Sequence, residues 1–117
     1  MGHLHYGDHS ASVEIADRAL AHLQVVILHK LRRGESFPFS WIEPTSTGSG
    51  RSTIWLHPTV MLRFTFAGNR TPSLNAAWIE QLSILANSNA GLRGTAEPVD
   101  TSRTDLRRPD LSGAAPA

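Results

Sequence analysis

The chain has 117 residues, an apolar fraction of 40% and a charged fraction of 18%, and these values predict one small globular domain. Its formal net charge of +1 excludes a strong overall attraction to nucleic acid or to an anionic membrane. The absence of Cys excludes disulfides, a thiolate nucleophile and thiolate metal ligands. Because no apolar segment is long enough to span a bilayer and no secretory signal is evident, we expect a cytoplasmic protein without a membrane partner.

The first elements in the chain are a predicted β-hairpin and a helix. Residues 3–6 and 12–15 alternate between apolar and polar types on either side of a turn, which is typical of paired strands. Asp17 is expected to cap the helix that follows, and Gly34 is expected to end it. The apolar positions of this helix keep helical spacing: Leu20, Leu23, Ile27 and Leu31.

Three strands and a second helix are predicted next. Residues 37–43 form a strand in which Pro38 indicates an edge position or the start of the strand. A Gly/Ser/Thr loop at 44–50 precedes strands at 51–57 and 59–66, which are joined tightly around Pro58. Thr71 or Ser73 is expected to cap the second helix, with Pro72 in its first turn. Its predicted buried stripe is Leu74, Trp78, Leu82 and Leu85, and residues 92–97 are a candidate short edge strand.

This ββαβββα order predicts an α+β fold of two layers, with an antiparallel sheet carrying both helices on one face. The predicted domain covers residues 1–98. Residues 99–117 mix Asp, Arg, Ser, Pro, Gly and Ala with few apolar side chains, so they are expected to form a disordered tail.

The period of two in the strands before the second helix places alternate side chains on opposite faces. Ile54, Leu56, Leu62 and Phe64 are expected to face the helices. The opposite face would then be open to water and would carry Arg51, Thr53, Trp55, His57, Met61, Arg63 and Thr65, joined by His3 and His5.

Exposed aromatic and Arg side chains are common anchors of interfaces, so this face is a candidate binding surface. Trp55 and Arg63 are its predicted anchors, on strands expected to be adjacent, and Arg51, His57 and Met61 lie beside them. A protein partner or a second copy of the chain is the favoured occupant, and nucleic acid is the alternative. In the competing interpretation, Trp55 lies flat under its Arg neighbours or the tail covers it.

Other patterns in the sequence are weak indications of chemistry. His3 and His5 could chelate a metal together with His9 or His57, but they are better explained as polar strand positions, and we predict neither a metal nor a cofactor. Residues 47–52 look like a phosphate-binding loop but lack its Gly-Lys-Ser/Thr ending. No catalytic residue is predicted, because no G-x-S-x-G motif is present.

The basic residues Lys30, Arg32 and Arg33 complement the dipole at the end of the first helix. A phosphate contact is the alternative explanation, which makes Arg32 and Arg33 further candidate binding residues.

Several separated motifs together resemble one known family. They include KLRRGESF at 30–37, GRSTIWLHP at 50–58, PSLN at 72–75, WIE at 78–80 and ANS at 86–88. The family consists of short actinobacterial proteins with a domain of unknown function, and its members often carry the label ATP-dependent DNA ligase. The resemblance covers roughly residues 1–98 and implies no established mechanism.

The residues conflict with ligase chemistry. Ligases of this superfamily transfer a nucleotide through the Lys of a Lys-x-Asp-Gly motif. The only Lys is Lys30, and Arg32 and Arg33 occupy the positions where Asp and Gly are needed. The sequence therefore predicts a small non-catalytic binding domain. The alternative is a DNA-associated accessory protein that has no ligase chemistry of its own.

Overall fold

The computed structural model describes residues 1–7, 11–45 and 48–99. The elements in this part of the chain are β1 Gly2–Tyr6, β2 Ala11–Ile15, α1 Asp17–Arg32, β3 Phe37–Thr45, β4 Gly48–Leu56, β5 Leu62–Thr65, α2 Ala76–Ala86 and β6 Leu92–Arg93. This confirms the predicted α+β class and the order of elements, with β6 as a final short strand. The predicted tail lies outside the described residues from position 100 onward.

The described strands form two three-stranded sheets. The first sheet has the order β2-β1-β5 and is antiparallel throughout. The second sheet has the order β4-β3-β6, in which β3 pairs antiparallel with β4 and parallel with β6. The prediction that the two strands around Pro58 are adjacent is wrong, because β5 pairs with β1 and β4 pairs with β3. The segment between them carries the chain from one sheet to the other.

Both helices and the inner faces of both sheets contribute to one hydrophobic core. The buried strand residues include Leu4 and Val13 in the first sheet and Phe37, Phe39, Ile54 and Leu56 in the second. The buried helix residues include Leu20, Leu23, Ile27, Trp78 and Leu82. The inward orientation predicted for Ile54 and Leu56 is confirmed. No helix among the described residues meets the length and hydropathy that crossing a membrane requires.

The helix ends differ from the prediction in two places. Asp17 begins α1 but makes no capping hydrogen bond, and its carboxylate accepts the backbone N–H groups of Ala67 and Gly68 at 3.1 and 3.0 Å. The cap of α2 is Asn75, whose side chain accepts the N–H groups of the next turn. Because α2 starts later than predicted, Leu74 precedes it and is 45% exposed.

The hairpin of β3 and β4 is longer than the sequence predicts, since pairing continues to Thr45 opposite Gly48. Pro38 is tolerated in the central strand β3 because β6 pairs only from Phe39 onward, so no N–H is needed from Pro38 on that side. Gly91, just before β6, has φ +88°, and a Cβ there would lie 2.6 Å from the carbonyl oxygen of Pro38. Only glycine fits this approach of β6 to β3.

Candidate binding face

The outer face of the second sheet follows from the register of its strands. Directly opposed residues of paired strands share a face, and Phe37, Phe39, Ile54 and Leu56 are turned into the core. The residues between them in sequence therefore face away from both helices. The residues of this outer face whose side chains the structure describes are Pro38, Ser40 and Ile42 from β3, Arg51, Thr53 and Trp55 from β4, and Arg93 from β6.

Exposed apolar and cationic groups lie side by side on this outer face. Trp55 is 59% exposed and Ile42 is 67% exposed. Arg51 and Arg93 are also exposed, and neither takes part in the ion pairs found between described residues. The described residues of the outer face include no Asp or Glu, so no carboxylate among them neutralises the two Arg side chains.

An open groove of about 470 Å³ runs along part of the outer face, and Ser40, Ile42, Arg51 and Arg93 line it with Trp41 and Gly94. The hydroxyls of Ser40 and Thr53 lie 2.8 Å apart and join β3 to β4 at the centre of the face. This contact ties the two strands together on the outer face itself. The register of the two strands sets the positions of Trp55, Arg51 and Ile42 on this face.

Arg63 does not belong to this face, although the sequence predicts that it shares a face with Trp55. It lies on β5 opposite His5 of β1, so it projects from the outer face of the first sheet. His3 and Thr65 are directly opposed on the same face, and Glu14 of β2 lies opposite His3. The predicted Trp55/Arg63 pair is wrong, because the two strands belong to different sheets.

The histidines of the first sheet are engaged with their neighbours. His5 Nε2 lies 3.1 Å from Thr65 Oγ1, and the rings of His3 and His5 have centroids 5.9 Å apart. Among residues 1–7, 11–45 and 48–99, no group of three or more His, Cys, Asp or Glu is arranged to hold a metal ion.

His57 and Met61 lie in the connection between the sheets. The backbone N–H of Thr59 donates to His57 Nδ1 at 3.2 Å, and Thr59 Oγ1 lies 2.8 Å from the same nitrogen. His57 therefore stabilises this turn, in which the N–H of Val60 also donates to the carbonyl oxygen of His57. Met61 is 65% exposed, outside both sheets. Neither residue belongs to the outer face of the second sheet as its register defines it.

Arg32 and Arg33 end α1 on the inner side of the second sheet. The neighbouring Lys30 places its ammonium 5.3 Å from the centre of the Phe37 ring, which faces the core. Arg33 donates to Glu35 at 3.2 Å, whereas Arg32 is exposed beside an open groove of about 540 Å³ on α1. The two candidate groups, Trp55 and Arg32/Arg33, therefore lie on opposite sides of the second sheet.

Lys30 is buried and bound on two sides. Its ammonium donates to Asn87 Oδ1 at 2.7 Å and forms an ion pair with Glu35 at 2.9 Å. Hydrogen bonds from Lys30 and Arg33 hold the pKa of Glu35 below its usual value. These contacts join the end of α1 to α2 and to the start of β3. The only Lys of the chain is thus occupied in packing.

The model of one protein family, described as a domain of unknown function (DUF7882), matches residues 1–97. The chain belongs to this family. No curated protein and no solved structure gives a significant match to the chain. The match spans every described element from β1 to β6, and the description of the family names neither an activity nor a ligand.

A polar network in this family member joins His22, Asn75, Glu97 and Arg18, and the sequence interpretation missed it. His22 is fully buried; its Nδ1–H donates to the carbonyl oxygen of Arg18 at 2.7 Å, and its Nε2 accepts the N–H of Asn75 at 2.8 Å. Asn75 Nδ2 donates to Glu97 at 2.9 Å and to the carbonyl oxygen of Pro98 at 2.8 Å. Both ring nitrogens of His22 are therefore satisfied.

Arg18 completes the network with a bidentate contact to Glu97, at 2.8 and 2.7 Å. Hydrogen bonds from Arg18, and then from Asn75, lower the pKa of Glu97 to about 2. The network ties the segment after β6 to the first turn of α1 and to the cap of α2. The available sequence signal was Asn75 just before the apolar stripe of α2, since Asn is a preferred N-cap.

Proposed function

We propose that this domain is a non-catalytic protein-interaction module that binds through the outer face of the second sheet. The observation that supports this proposal is the exposure of Trp55 and Ile42 beside Arg51 and Arg93. Large aromatic and Arg side chains contribute most of the binding energy in many interfaces. A solvated sheet face that carried no partner would more commonly present polar side chains at these positions.

The chemistry of this face favours a polypeptide segment that presents carboxylates next to an apolar side chain. Two Arg side chains without a carboxylate on their own face attract an acidic partner and repel a basic one. Ile42 lies opposite Arg51 on β3, and Trp55 lies further along β4 beyond Thr53, so an apolar side chain of the partner has two places to pack. Complementary charge would set the orientation, and burial of Trp55 would supply most of the affinity.

The contacts of Lys30 support a non-catalytic role. A lysine that attacks a phosphate must present an unhindered amine, whereas this ammonium is held by Asn87, Glu35 and the ring of Phe37. Its release would break the packing at the end of α1.

A DNA-associated accessory role is the second candidate, and the same Trp55 and Arg51 favour it. Bases stack on exposed aromatic rings, and Arg contacts phosphates. The two candidates differ in salt dependence, because phosphate binding releases counterions and weakens steeply as salt rises.

Random peptides displayed on phage and selected on the purified domain would test the proposal. We expect enrichment of peptides with carboxylates beside apolar residues, and synthetic versions of these peptides should bind the domain when measured by fluorescence anisotropy. Trp55→Ala should weaken that binding by at least about tenfold. The matched control is Ile84→Ala, which removes an apolar side chain that is 65% exposed on α2.

Two outcomes would contradict the proposal. One is the selection of peptides without acidic residues, and the other is binding that Trp55→Ala leaves intact. Tight binding of a labelled oligonucleotide that collapses as salt rises, in the absence of peptide binding, would instead support the DNA-associated role.

A further inference from the structure

The strand β4 is an edge strand with an unusually long free side. It has nine residues, whereas the other described edge strands β2, β5 and β6 have five, four and two. Within residues 1–7, 11–45 and 48–99, no strand pairs with the side of β4 that faces away from β3. An open edge offers a row of backbone donors and acceptors to another strand.

The sequence of β4 lacks most of the features that protect edge strands. Natural edge strands are blocked by Pro, by charged side chains and above all Lys, by bulges or by being short. β4 contains neither Pro nor Lys and pairs with β3 in unbroken register from Gly48 to Leu56. Its one charged residue is Arg51. This edge is therefore suited to pairing with a further strand.

We propose that β4 pairs antiparallel with β4 of a second copy of this chain, about a twofold axis that passes beside Thr53. The pairing would join the two second sheets into one continuous sheet with six strands, in the order β6-β3-β4-β4-β3-β6. The inference goes beyond the proposed function, since it names a second copy as a partner at the edge and does not require a bound peptide.

The spacing of the outer side chains of β4 selects this axis. Antiparallel pairing about Thr53 places Arg51 of each copy opposite Trp55 of the other, on the same face. A guanidinium beside an indole ring gains a cation–π contact, and the symmetry supplies that contact twice. At the axis Thr53 meets Thr53, which is a favourable cross-strand pair.

Neighbouring axes lose these contacts. An axis at Ser52 places Arg51 opposite Thr53. Trp55 then has no Arg opposite it, so the cation–π contact is lost. An axis at Arg51 brings two like charges face to face, which is destabilising. Because opposed residues must share a face, the axis at Thr53 is the one that matches both Arg51 and Trp55 with a complementary group.

The single chain already holds these side chains in place for pairing. Arg51, Thr53 and Trp55 are all exposed, and the bond from Ser40 to Thr53 ties β4 to β3 at the axis. The pairing would also bring two copies of the groove onto one surface. The outer face of the second sheet would then be doubled, with the Trp55 rings near its centre.

Sedimentation velocity from micromolar to millimolar concentration tests the association. We expect a reversible dimer that Arg51→Glu and Trp55→Ala each weaken by about tenfold or more, because each removes both symmetry-related contacts. The double variant Arg51→Trp with Trp55→Arg exchanges the two partners and should restore dimerisation. Thermal melts of each variant show that a loss of dimer is not a loss of fold.

Engineered cysteines test the register, since the natural chain has none. Thr53→Cys should form an intermolecular disulfide readily, because opposed residues of antiparallel strands lie about 4.5–5.5 Å apart between Cα atoms. Arg51→Cys alone should not, since its two copies would be offset by four residues, or about 13 Å. A mixture of Arg51→Cys and Trp55→Cys should form mixed disulfides.

A chain that stays monomeric at every concentration overturns this inference, as does crosslinking of Arg51→Cys that matches that of Thr53→Cys. A monomer that still binds the selected acidic peptides leaves the proposed function standing and removes only the dimer. A dimer in the predicted register that binds no such peptide supports this inference and contradicts the proposed function.

Discussion

The two sheets of this domain have the same alternation of side chains but very different outer faces. The first sheet presents His3, His5, Glu14, Arg63 and Thr65, which include both signs of charge and a hydrogen bond between His5 and Thr65. The second presents the exposed side chains of Trp55 and Ile42 together with Arg51 and Arg93, and its described residues include no carboxylate.

Exposure to solvent does not by itself distinguish the two faces. Both faces are turned away from the core, and both contain an exposed Arg. Only the second combines cationic groups with large exposed apolar side chains, which are costly to leave in water and favourable to bury against a partner.

Truncating a side chain of β4 should destabilise the domain strongly on the buried face of the strand and only slightly on its exposed face. Leu56 is fully buried, so Leu56→Ala should lower the free energy of unfolding by about 2–5 kcal/mol. Trp55→Ala, on the exposed side of the same strand, should change it by no more than about 0.5–1 kcal/mol. Denaturant melts measure both. A cost of several kcal/mol for Trp55→Ala would mean that the ring is buried and that the second sheet has no exposed aromatic anchor.

Charge reversal should affect ligand binding on one sheet and not on the other. Arg51→Glu should weaken acidic peptide binding by about 2 kcal/mol, since it replaces an attractive charge with a repulsive one on the face. Arg63→Glu makes the same change on the first sheet and should leave the affinity as it was. Equal losses in the two variants would show that long-range charge, rather than the second sheet, controls binding.

The inner side of the second sheet depends on Lys30. Lys30→Met keeps the length of the side chain but loses the contacts to Asn87 and Glu35, so the free energy of unfolding should fall by about 1–2 kcal/mol. The wild-type chain, incubated with labelled ATP and Mg²⁺, should form no covalent adduct detectable by denaturing electrophoresis. A labelled band that disappears in the Lys30 variant would establish nucleotidyl transfer and contradict a non-catalytic domain.

Acid should loosen the contact between the segment that follows β6 and α1. The pKa of Glu97, lowered to about 2 from 4.5, stabilises the folded state above pH about 4.5. That stabilisation should be lost progressively as the pH falls from about 4.5 toward 2. Glu97→Gln does not titrate there, so its stability should fall less steeply over the same range. Glu80→Gln, at an exposed position on α2, should follow the wild-type curve.

Removal of residues 100–117 should have the smallest effect. Their composition cannot bury enough apolar surface to form a core, so the melting temperature should change by less than about 5 °C. The same truncation tests whether the tail covers Trp55, because peptide binding should then increase. A larger drop in melting temperature would show that the tail packs against the domain.

Local patterns predicted the local structure of this domain well. The alternation within β4 placed Ile54 and Leu56 inward and Trp55 outward, because the direction of a side chain depends only on its position in the strand. The helical spacing of α1 likewise identified Leu20, Leu23 and Ile27 as core residues.

Pairing between distant segments was not predictable in the same way. Nothing local distinguishes a turn that joins two paired strands from one that carries the chain to another sheet, and the turn after His57 is of the second kind. The helix cap was misplaced for a related reason. Thr71, Pro72 and Ser73 offer a good helix start, but the bonds from Asn75 to His22 and Glu97 fix the start later.

The polar network of His22, Asn75, Glu97 and Arg18 also has a consequence for the newly synthesised chain. Its bonds join residues far apart in sequence, 79 positions between Arg18 and Glu97 and 53 between His22 and Asn75. Such contacts make folding slower than local contacts do, because a long loop must close before they form. A nascent polypeptide that ends before Leu92 would lack the strand beside Phe39 as well as the carboxylate that holds Arg18. We therefore expect the domain to fold as a cooperative unit only after Glu97 has left the ribosome.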